Sequence, residues 1–225
     1  MAIYAPLVPE MAGTEYHVNK LRIGLGISRV VARLLVNRGI TDIDRAASFL
    51  NPSLEDLHDP YLLPDMDRAV NRIEKAIDCR EPIVIYGDYD ADGITSTSIL
   101  YHFLKCYLDL DVEFYIPDRL SEGYGMSIEA IDYISSRGTS LIITVDCGIR
   151  NHEEIEYAKS KGINVIVTDH HQCGETIPDC VACVNPTRPD CPFPYKNLAG
   201  VGVAFKLISA LGFAIGLDKE IYEYM

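Results

Sequence analysis

The sequence predicts an α/β fold, a parallel β-sheet flanked by helices, with an N-terminal helical lead-in. After residue 80, short runs rich in Val and Ile alternate with longer amphipathic segments. Repeated strand–helix–strand order requires right-handed crossovers and a sheet covered on both faces. The 225 residues, 48% of them hydrophobic and 24% charged, are also enough to bury such a core.

The first 80 residues predict a small helical subdomain. Apolar side chains recur at helical spacing within 27–50, where Asp42 is placed to cap a helix. A proline-containing connector follows, and 66–79 predicts one further helix. We therefore expect two domains, 1–80 and 81–225.

The second domain predicts four strands separated by three helices. The predicted strands are 83–86, 112–116, 141–145 and 165–168. The predicted helices are 95–107, 127–137 and 151–161. Residues 198–217 carry one charge, Lys206, and resemble a membrane span. Because a central lysine costs roughly 2.5–3.5 kcal/mol in a bilayer, we predict a buried helix there instead.

Charge and cysteine content exclude some classes of protein. The net charge of −13 excludes a general Lys/Arg coat for nucleic acid, although it leaves room for a local basic groove. Seven cysteines are an odd number, and the first residues lack the features of a signal peptide. We therefore expect reduced thiols in the cytoplasm.

Aspartate follows every predicted strand of the sheet within about two residues. These residues are Asp88, Asp118, Asp146 and Asp169. Because the carboxyl ends of parallel strands meet at one edge, side chains from neighbouring strands can share a ligand there. The first loop adds Asp90 and Asp92, and alternate residues of an extended backbone share a face. Asp88 and Asp90 are therefore expected to converge.

The histidine pair that follows Asp169 favours a metal site over a set of helix caps. Aspartate is a common N-cap, and each acid taken alone fits that role. Together with His170 and His171, the acids suit Mn²⁺ or Mg²⁺, and two such ions ~3.5–4 Å apart promote phosphoester hydrolysis. In an extended segment the two histidines point to opposite sides. We therefore expect only one of them to meet the same ion as Asp146.

Other motifs fit less well. An EF-hand loop that starts at Asp88 lacks its final glutamate, because Ile99 stands at that position. The glycine-rich signatures of dinucleotide and nucleoside triphosphate binding are absent. A covalent phosphatase with Asp88 as nucleophile stays open but gives the histidines no role. Cys180-x-x-Cys183 leaves a zinc site open as well.

Several ordered motifs resemble the DHH phosphoesterase superfamily. They are IYGDYDADG at 85–93, PDR at 117–119 with GYG at 123–125, TVDCG at 144–148 and TDHH at 168–171. VNP at 184–186 and AGVGVAF at 199–205 are similar to its branch of bacterial single-strand-specific exonucleases. The similarity runs from about residue 25 to the end of the sequence.

The resemblance implies a Mn²⁺- or Mg²⁺-dependent 5′-to-3′ exonuclease that degrades single-stranded DNA in recombination and repair. It implies metal ligation by Asp88, Asp90, Asp146 and His170. It also implies that Asp169 and His171 complete the catalytic set and that Asp92 lies in the layer around it. A phosphatase for short oligonucleotides or small phosphoesters and a non-catalytic DNA or replication scaffold remain as alternatives.

The resemblance extends to substrate contacts. Arg119 is a candidate phosphate clamp, with a salt bridge as the alternative. Gly123 and Gly125 would let the backbone approach the substrate or would form an ordinary turn. Tyr124 would stack on a base or simply pack.

Two departures from the family pattern affect these expectations. Family members often carry His where this chain has Tyr86. They also carry another metal-binding Asp and a second domain beyond the region matched here. We therefore expect a truncated chain that holds metal weakly on its own.

Overall fold

A computed structural model describes residues 13–217 of the chain. The expectations about a signal peptide and about the carboxyl-terminal end concern segments outside that range. The chain divides into two compact units, Met1–Leu57 and His58–Met225. This division differs from the boundary predicted at residue 80.

The described part of the first unit contains three α-helices, α1 (Thr14–Leu25), α2 (Arg29–Asn37) and α3 (Ile43–Leu50). The Asp42 side chain accepts hydrogen bonds from the Asp44 and Arg45 amides and so caps α3, as its position predicted. Helix α1 lies before the first predicted helical segment, 27–50. Val18 and Leu21 are its buried apolar residues, which is too few for a clear helical pattern.

The second unit is built on five parallel strands in the order β2-β1-β3-β4-β5. They are β1 (Ile83–Tyr86), β2 (Val112–Tyr115), β3 (Leu141–Val145), β4 (Asn164–Thr168) and β5 (Ala182–Val184). The fold class and the first four strands agree with the prediction. The three-residue β5 is too short to give a pattern in the sequence.

Five helices cover the two faces of the sheet. They are α4 (Met66–Cys79), α5 (Ala91–Tyr101), α6 (Ile128–Ser136), α7 (His152–Ser160) and α8 (Gly200–Ala214). Apolar residues of α4, α5 and α8 share one core with Ile83 and Ile85 of β1. Those of α6 and α7 share the other core with Val84 and Tyr86. This alternation along β1 is the two-sided burial expected of a parallel sheet.

Helices α4 and α8 both contribute to the core of the second unit. Helix α4, assigned by the sequence to the lead-in, packs with its Met66 and Ile73 in the core of the sheet. Helix α8 is the apolar segment that resembled a membrane span, and its Leu207 and Leu211 are fully buried. Every helix within residues 13–217 is too short or too polar to cross a membrane.

Candidate metal centre

The carboxyl ends of three neighbouring strands bring acids and imidazoles together. One carboxylate oxygen from each of Asp88, Asp90 and Asp146 lies within 4.8 Å of the other two. One ring nitrogen from each of His170 and His171 lies within the same distance of Asp146. The two groups share Asp146, which follows β3, the strand between β1 and β4. We call these five residues the strand-end cluster.

Two carboxylates of the strand-end cluster are buried without a partner for one oxygen. Asp146 is 1% exposed and Asp88 is 4% exposed, and Oδ1 of each accepts no hydrogen bond from a described residue. His170 Nε2 lies 3.1 Å from Asp146 Oδ1 without the alignment of a hydrogen bond. A buried, unpaired carboxylate is costly, and a bound cation removes that cost. These residues therefore fit a divalent metal ion.

The same burial changes the acidity of both groups. Burial, and then the charges of Asp92 and Asp90, raise the pKa of Asp146 to about 8. Burial also raises the pKa of Asp88. In addition, Asp146 has a φ of 60°, a left-handed conformation that is unusual for a residue other than glycine. The strained turn aims a buried acid at the end of the sheet.

Asp90 combines the two roles that the sequence left open. Its Oδ1 accepts hydrogen bonds from the Asp92 and Gly93 amides, at 2.8 and 3.0 Å, and so caps α5. A carboxylate has two oxygens, so capping through one leaves the other for a metal ion. Gly93 is required here, since a Cβ would lie 2.5 Å from the Asp88 carbonyl oxygen.

Asp92 ties the cluster to helix α8. Its two carboxylate oxygens accept hydrogen bonds from the Gly200 and Val201 amides, at 2.7 and 2.8 Å, and so cap a helix that has no local side-chain cap. Asp92 Oδ2 also lies 3.6 Å from His170 Nε2. A Cβ on Gly200 would lie 2.6 Å from Asp146 Oδ1, so this glycine lets α8 close against the cluster. This role of the AGVG motif could not be predicted from the sequence alone.

Asp169 is fully buried and positions the histidine pair. Its Oδ1 accepts hydrogen bonds from both histidine amides and from His171 Nδ1, and its Oδ2 accepts one from the Ile149 amide. Burial raises the pKa of Asp169, but these hydrogen bonds outweigh it and leave the pKa lowered. The bond to Asp169 in turn raises the pKa of His171.

The histidines lie on the same side of the chain, which corrects the expectation from the sequence. Their ring centroids are 4.5 Å apart, and both rings approach Asp146. The extended segment that was assumed does not form, because Asp169 accepts hydrogen bonds from the two following amides and folds the chain into a turn.

Asn185, which follows β5, supports the backbone of His171. Its side-chain amide donates a 2.9 Å hydrogen bond to the His171 carbonyl oxygen, and Thr187 Oγ1 donates another. The VNP motif at 184–186 marked this segment in the sequence, but the contact depends on β5, which the sequence did not predict.

Asp118 does not join the cluster. Its Oδ1 accepts hydrogen bonds from the Leu120 and Ser121 amides, so it caps a local turn after β2, the outermost strand. The next residue, Arg119, lies with its guanidinium carbon 5.4 Å from the centroid of the Tyr89 ring. Within residues 13–217, no carboxylate forms the salt bridge that was the alternative for Arg119.

The loop at 123–125 contacts the cluster through its tyrosine. Gly123 and Gly125 have φ values of 82° and 85°. Tyr124 donates a 3.2 Å hydrogen bond to the Asp146 carbonyl oxygen, and its hydroxyl lies 3.0 Å from His171 Nδ1. Its ring is half exposed. Tyr86, the departure from the family pattern, donates its buried hydroxyl to the Gly125 carbonyl oxygen and so anchors this loop.

The cysteines are not among the candidate metal ligands, although Cys147 directly follows Asp146. All seven are free, and Cys147, Cys183 and Cys191 are buried. Across residues 13–217, the groups with metal-ligand spacing contain carboxylates and imidazoles but no thiol. This geometry gives the zinc alternative no support.

Comparison with known proteins is consistent with this geometry. The family described as the DHH family, N-terminal domain, matches residues 82–225. The chain is 50% identical over 194 residues to the single-stranded-DNA-specific exonuclease RecJ of Bacillus subtilis, which covers 86% of this chain and 25% of that protein. Against RecJ of Escherichia coli the identity is 41% over 182 residues, or 81% of this chain and 31% of that one.

A solved structure shares the fold over nearly the whole chain. RecJ of Thermus thermophilus in complex with Mn²⁺ matches with a TM-score of 0.73 and 31% identity, over 96% of this chain and 30% of that one. The chain thus spans about a quarter to a third of the length of the relatives it matches.

Proposed function

Because the match over residues 82–225 shows that the chain belongs to the DHH family, we propose that it carries the metal-binding part of a single-strand-specific DNA exonuclease. The reaction is hydrolysis of a phosphodiester bond with Mn²⁺ or Mg²⁺. Relatives at 41–50% identity are named single-stranded-DNA-specific exonucleases, and RecJ structures contain manganese or magnesium. The free cysteines suit a reducing compartment, so we assign the protein to the cytoplasm.

The observation that carries the proposal is the pair of buried carboxylate oxygens without a partner. Asp88 and Asp146 are held at the sheet edge by the fold, and neither Oδ1 accepts a hydrogen bond from a described residue. A helix cap or a structural ion pair would satisfy these atoms. A divalent cation satisfies them and is also what phosphodiester hydrolysis requires.

Each residue of the site has its own expected role. Asp88, Asp90, Asp146 and His170 would hold metal. When bound, the metal stabilises charge on the phosphate and lowers the pKa of a bound water. Asp169 accepts a hydrogen bond from Nδ1 of His171 and thereby fixes the orientation of the imidazole ring and of its Nε2. Arg119 would contact phosphate oxygens of the strand, since its guanidinium is exposed and forms no ion pair with a described residue.

The direct test uses 5′-labelled single strands with Mn²⁺. Asp146→Ala and His170→Ala are expected to abolish cleavage while circular dichroism and melting show a retained fold. Asp118→Ala is the matched control, because it removes an acid from the same sheet edge but outside the cluster. Full activity in both cluster variants would refute the proposal. Preference for di- to tetranucleotides would indicate the phosphatase alternative, and no metal uptake would indicate a scaffold.

A further inference from the structure

We propose that Arg150 binds a second phosphate group of the single strand, adjacent to the phosphate that is cleaved. Arg150 lies on the wall of a cavity of about 260 Å³ that Tyr124 and His171 also line. The inference rests on the proposed function for the identity of the strand. It adds a phosphate site at a different point of the sheet edge from Arg119.

The first support is that Arg150 has no acidic partner in a strongly acidic protein. From residue 58 onward, the arginines paired with carboxylates are Arg68, Arg72, Arg137 and Arg188. In the described part of that unit, Arg80, Arg119 and Arg150 form no ion pair. Two of these three lie on loops at the carboxyl edge of the sheet, where the acids of the strand-end cluster also lie.

The second support is that the protein fixes the position of Arg150. The amide of the preceding residue, Ile149, donates a 3.0 Å hydrogen bond to Asp169 Oδ2, the carboxylate that also positions His171. Arg150 Nε donates a 3.2 Å hydrogen bond to the Gln172 carbonyl oxygen. The arginine is therefore tied both to the loop that follows β3 and to the loop that follows β4.

These tethers leave the outer end of the guanidinium free. Neither Nη1 nor Nη2 of Arg150 donates to a described residue. Two such nitrogens form a planar fork that matches the oxygens of a phosphate group. The side chain is exposed on the cavity wall, so a ligand reaches it without rearrangement.

The order of the strands places Arg119 and Arg150 at different points along the carboxyl edge of the sheet. Arg119 follows β2 and Arg150 follows β3, and β1, which precedes Asp88 and Asp90, lies between these two strands. A strand that lies along this edge can bring phosphates to both arginines and to the metal centre. Such contacts give affinity for a backbone without reading its sequence.

The test is binding of a labelled oligothymidylate, measured by fluorescence anisotropy with Ca²⁺ in place of Mn²⁺ across a range of salt concentrations. Arg150→Gln is expected to weaken binding about tenfold, the size of a lost charged hydrogen bond. It is also expected to reduce the slope of log K against log salt by about 0.7, the loss of one phosphate contact. Arg150→Lys is expected to restore the slope but only part of the affinity, because it lacks the fork.

Arg80→Gln is the matched control, since it removes an exposed, unpaired arginine just before β1, at the opposite edge of the sheet. It is expected to leave both affinity and slope unchanged. An Arg150→Gln variant with unchanged affinity, or with weaker binding at an unchanged slope, would overturn the inference. So would a parent protein that does not bind the strand. Because binding is read without cleavage, a parent that binds but does not cleave refutes the proposed function alone.

Discussion

Two pairs of acidic residues in the second unit differ in how their negative charge is balanced. Arg188 donates to the carboxylates of Asp65 and Asp190, at 2.7–2.9 Å, and also to the Cys183 carbonyl oxygen. Its charge is neutralised by neighbours. Asp88 and Asp146 are more deeply buried than Asp65 and Asp190, yet Oδ1 of each accepts no hydrogen bond from a described residue. The comparison separates acids whose charge is balanced within the fold from acids whose buried oxygens accept no hydrogen bond.

The pKa shifts show the same contrast. Burial raises the pKa of Asp65, but the hydrogen bonds from Arg188, the Cys183 amide and Arg68, together with the charge of Arg188, outweigh it and leave the pKa lowered. For Asp146, burial and the neighbouring carboxylates act together and the pKa rises to about 8. Asp65 is therefore stabilised as an anion, whereas Asp146 without metal is not.

The largest expected effect comes from Asp146→Asn. Cleavage is expected to fall by at least ~1,000-fold, beyond the ~10–100-fold that follows loss of a residue behind a metal ligand. In EDTA the variant is expected to melt at a higher temperature than the parent, because a buried, unpaired acid has been neutralised. Initial rates and calorimetric melting check the two halves. A variant that is inactive but less stable in EDTA would show that Asp146 stabilises the fold, as Asp65 and Asp190 do.

The opposite pattern is expected for Arg188→Met. The free energy of unfolding should fall by about 3 kcal/mol, because Asp65 keeps its partly buried charge without a partner. Affinity for Mn²⁺ should stay unchanged, since Arg188 contacts none of the cluster residues. Urea denaturation and a metal titration measure these quantities. Loss of metal affinity with retained stability would contradict the assignment of Asp65 and Asp190 to stability and of Asp88 and Asp146 to metal binding.

Stability of the metal-free protein should depend on pH with opposite signs in the two groups. Asp146 binds a proton in the folded state but not in the unfolded state between pH values of about 4 and 8. Its contribution to stability therefore decreases as pH rises through that window. Asp65 has a lowered pKa, so its contribution is present above about pH 4 and is lost below.

Difference curves isolate each of these groups. The stability of Asp146→Asn relative to the parent should rise from pH 4 to 8 and then level off. The same difference for Asp65→Asn should stay flat over that range. Melting in EDTA at several pH values gives both curves, and two parallel curves would argue against the raised pKa of Asp146.

The smallest effect is expected for Asn185→Ala. This change removes one of the two hydrogen bonds to the His171 carbonyl oxygen, and Thr187 keeps the other. Affinity for Mn²⁺ should therefore fall by no more than about tenfold. Thr187→Val, which removes the other bond, should give a similar loss, and a loss in the double variant that differs from the sum of the two would show that both act on the His171 carbonyl oxygen. If all three variants bound Mn²⁺ as tightly as the parent, Asn185 and Thr187 would have no role in metal binding.

Strands β1, β3 and β4 could be predicted from the sequence because they are β-branched runs buried on both faces. Helix α5 begins at Ala91 rather than at 95, since Asp90 caps it, and residues 102–107 continue as a π-helical turn. The approach of Asp88, Asp90 and Asp146 also followed from local rules, because parallel strands end at one edge.

Other features of the site depend on contacts that no local pattern encodes. The histidines share a side because Asp169 folds the chain that follows it. Gly200 and Asn185 reach the cluster only through the placement of α8 and β5, which come later in the chain. Asp118 follows the same strand-end rule as the others, but β2 lies at the outer edge of the sheet.

The most direct test of the account is calorimetric titration of the metal-free protein with Mn²⁺ at pH 7, in two buffers of different ionisation enthalpy. The parent should bind Mn²⁺ and release close to one proton, because Asp146, with a pKa of about 8, must ionise to bind the metal. Asp146→Asn should lose both the binding and the proton release. Equal Mn²⁺ affinity in the parent and in Asp146→Asn, with no proton released, would contradict the claim that the strand-end cluster is a metal centre.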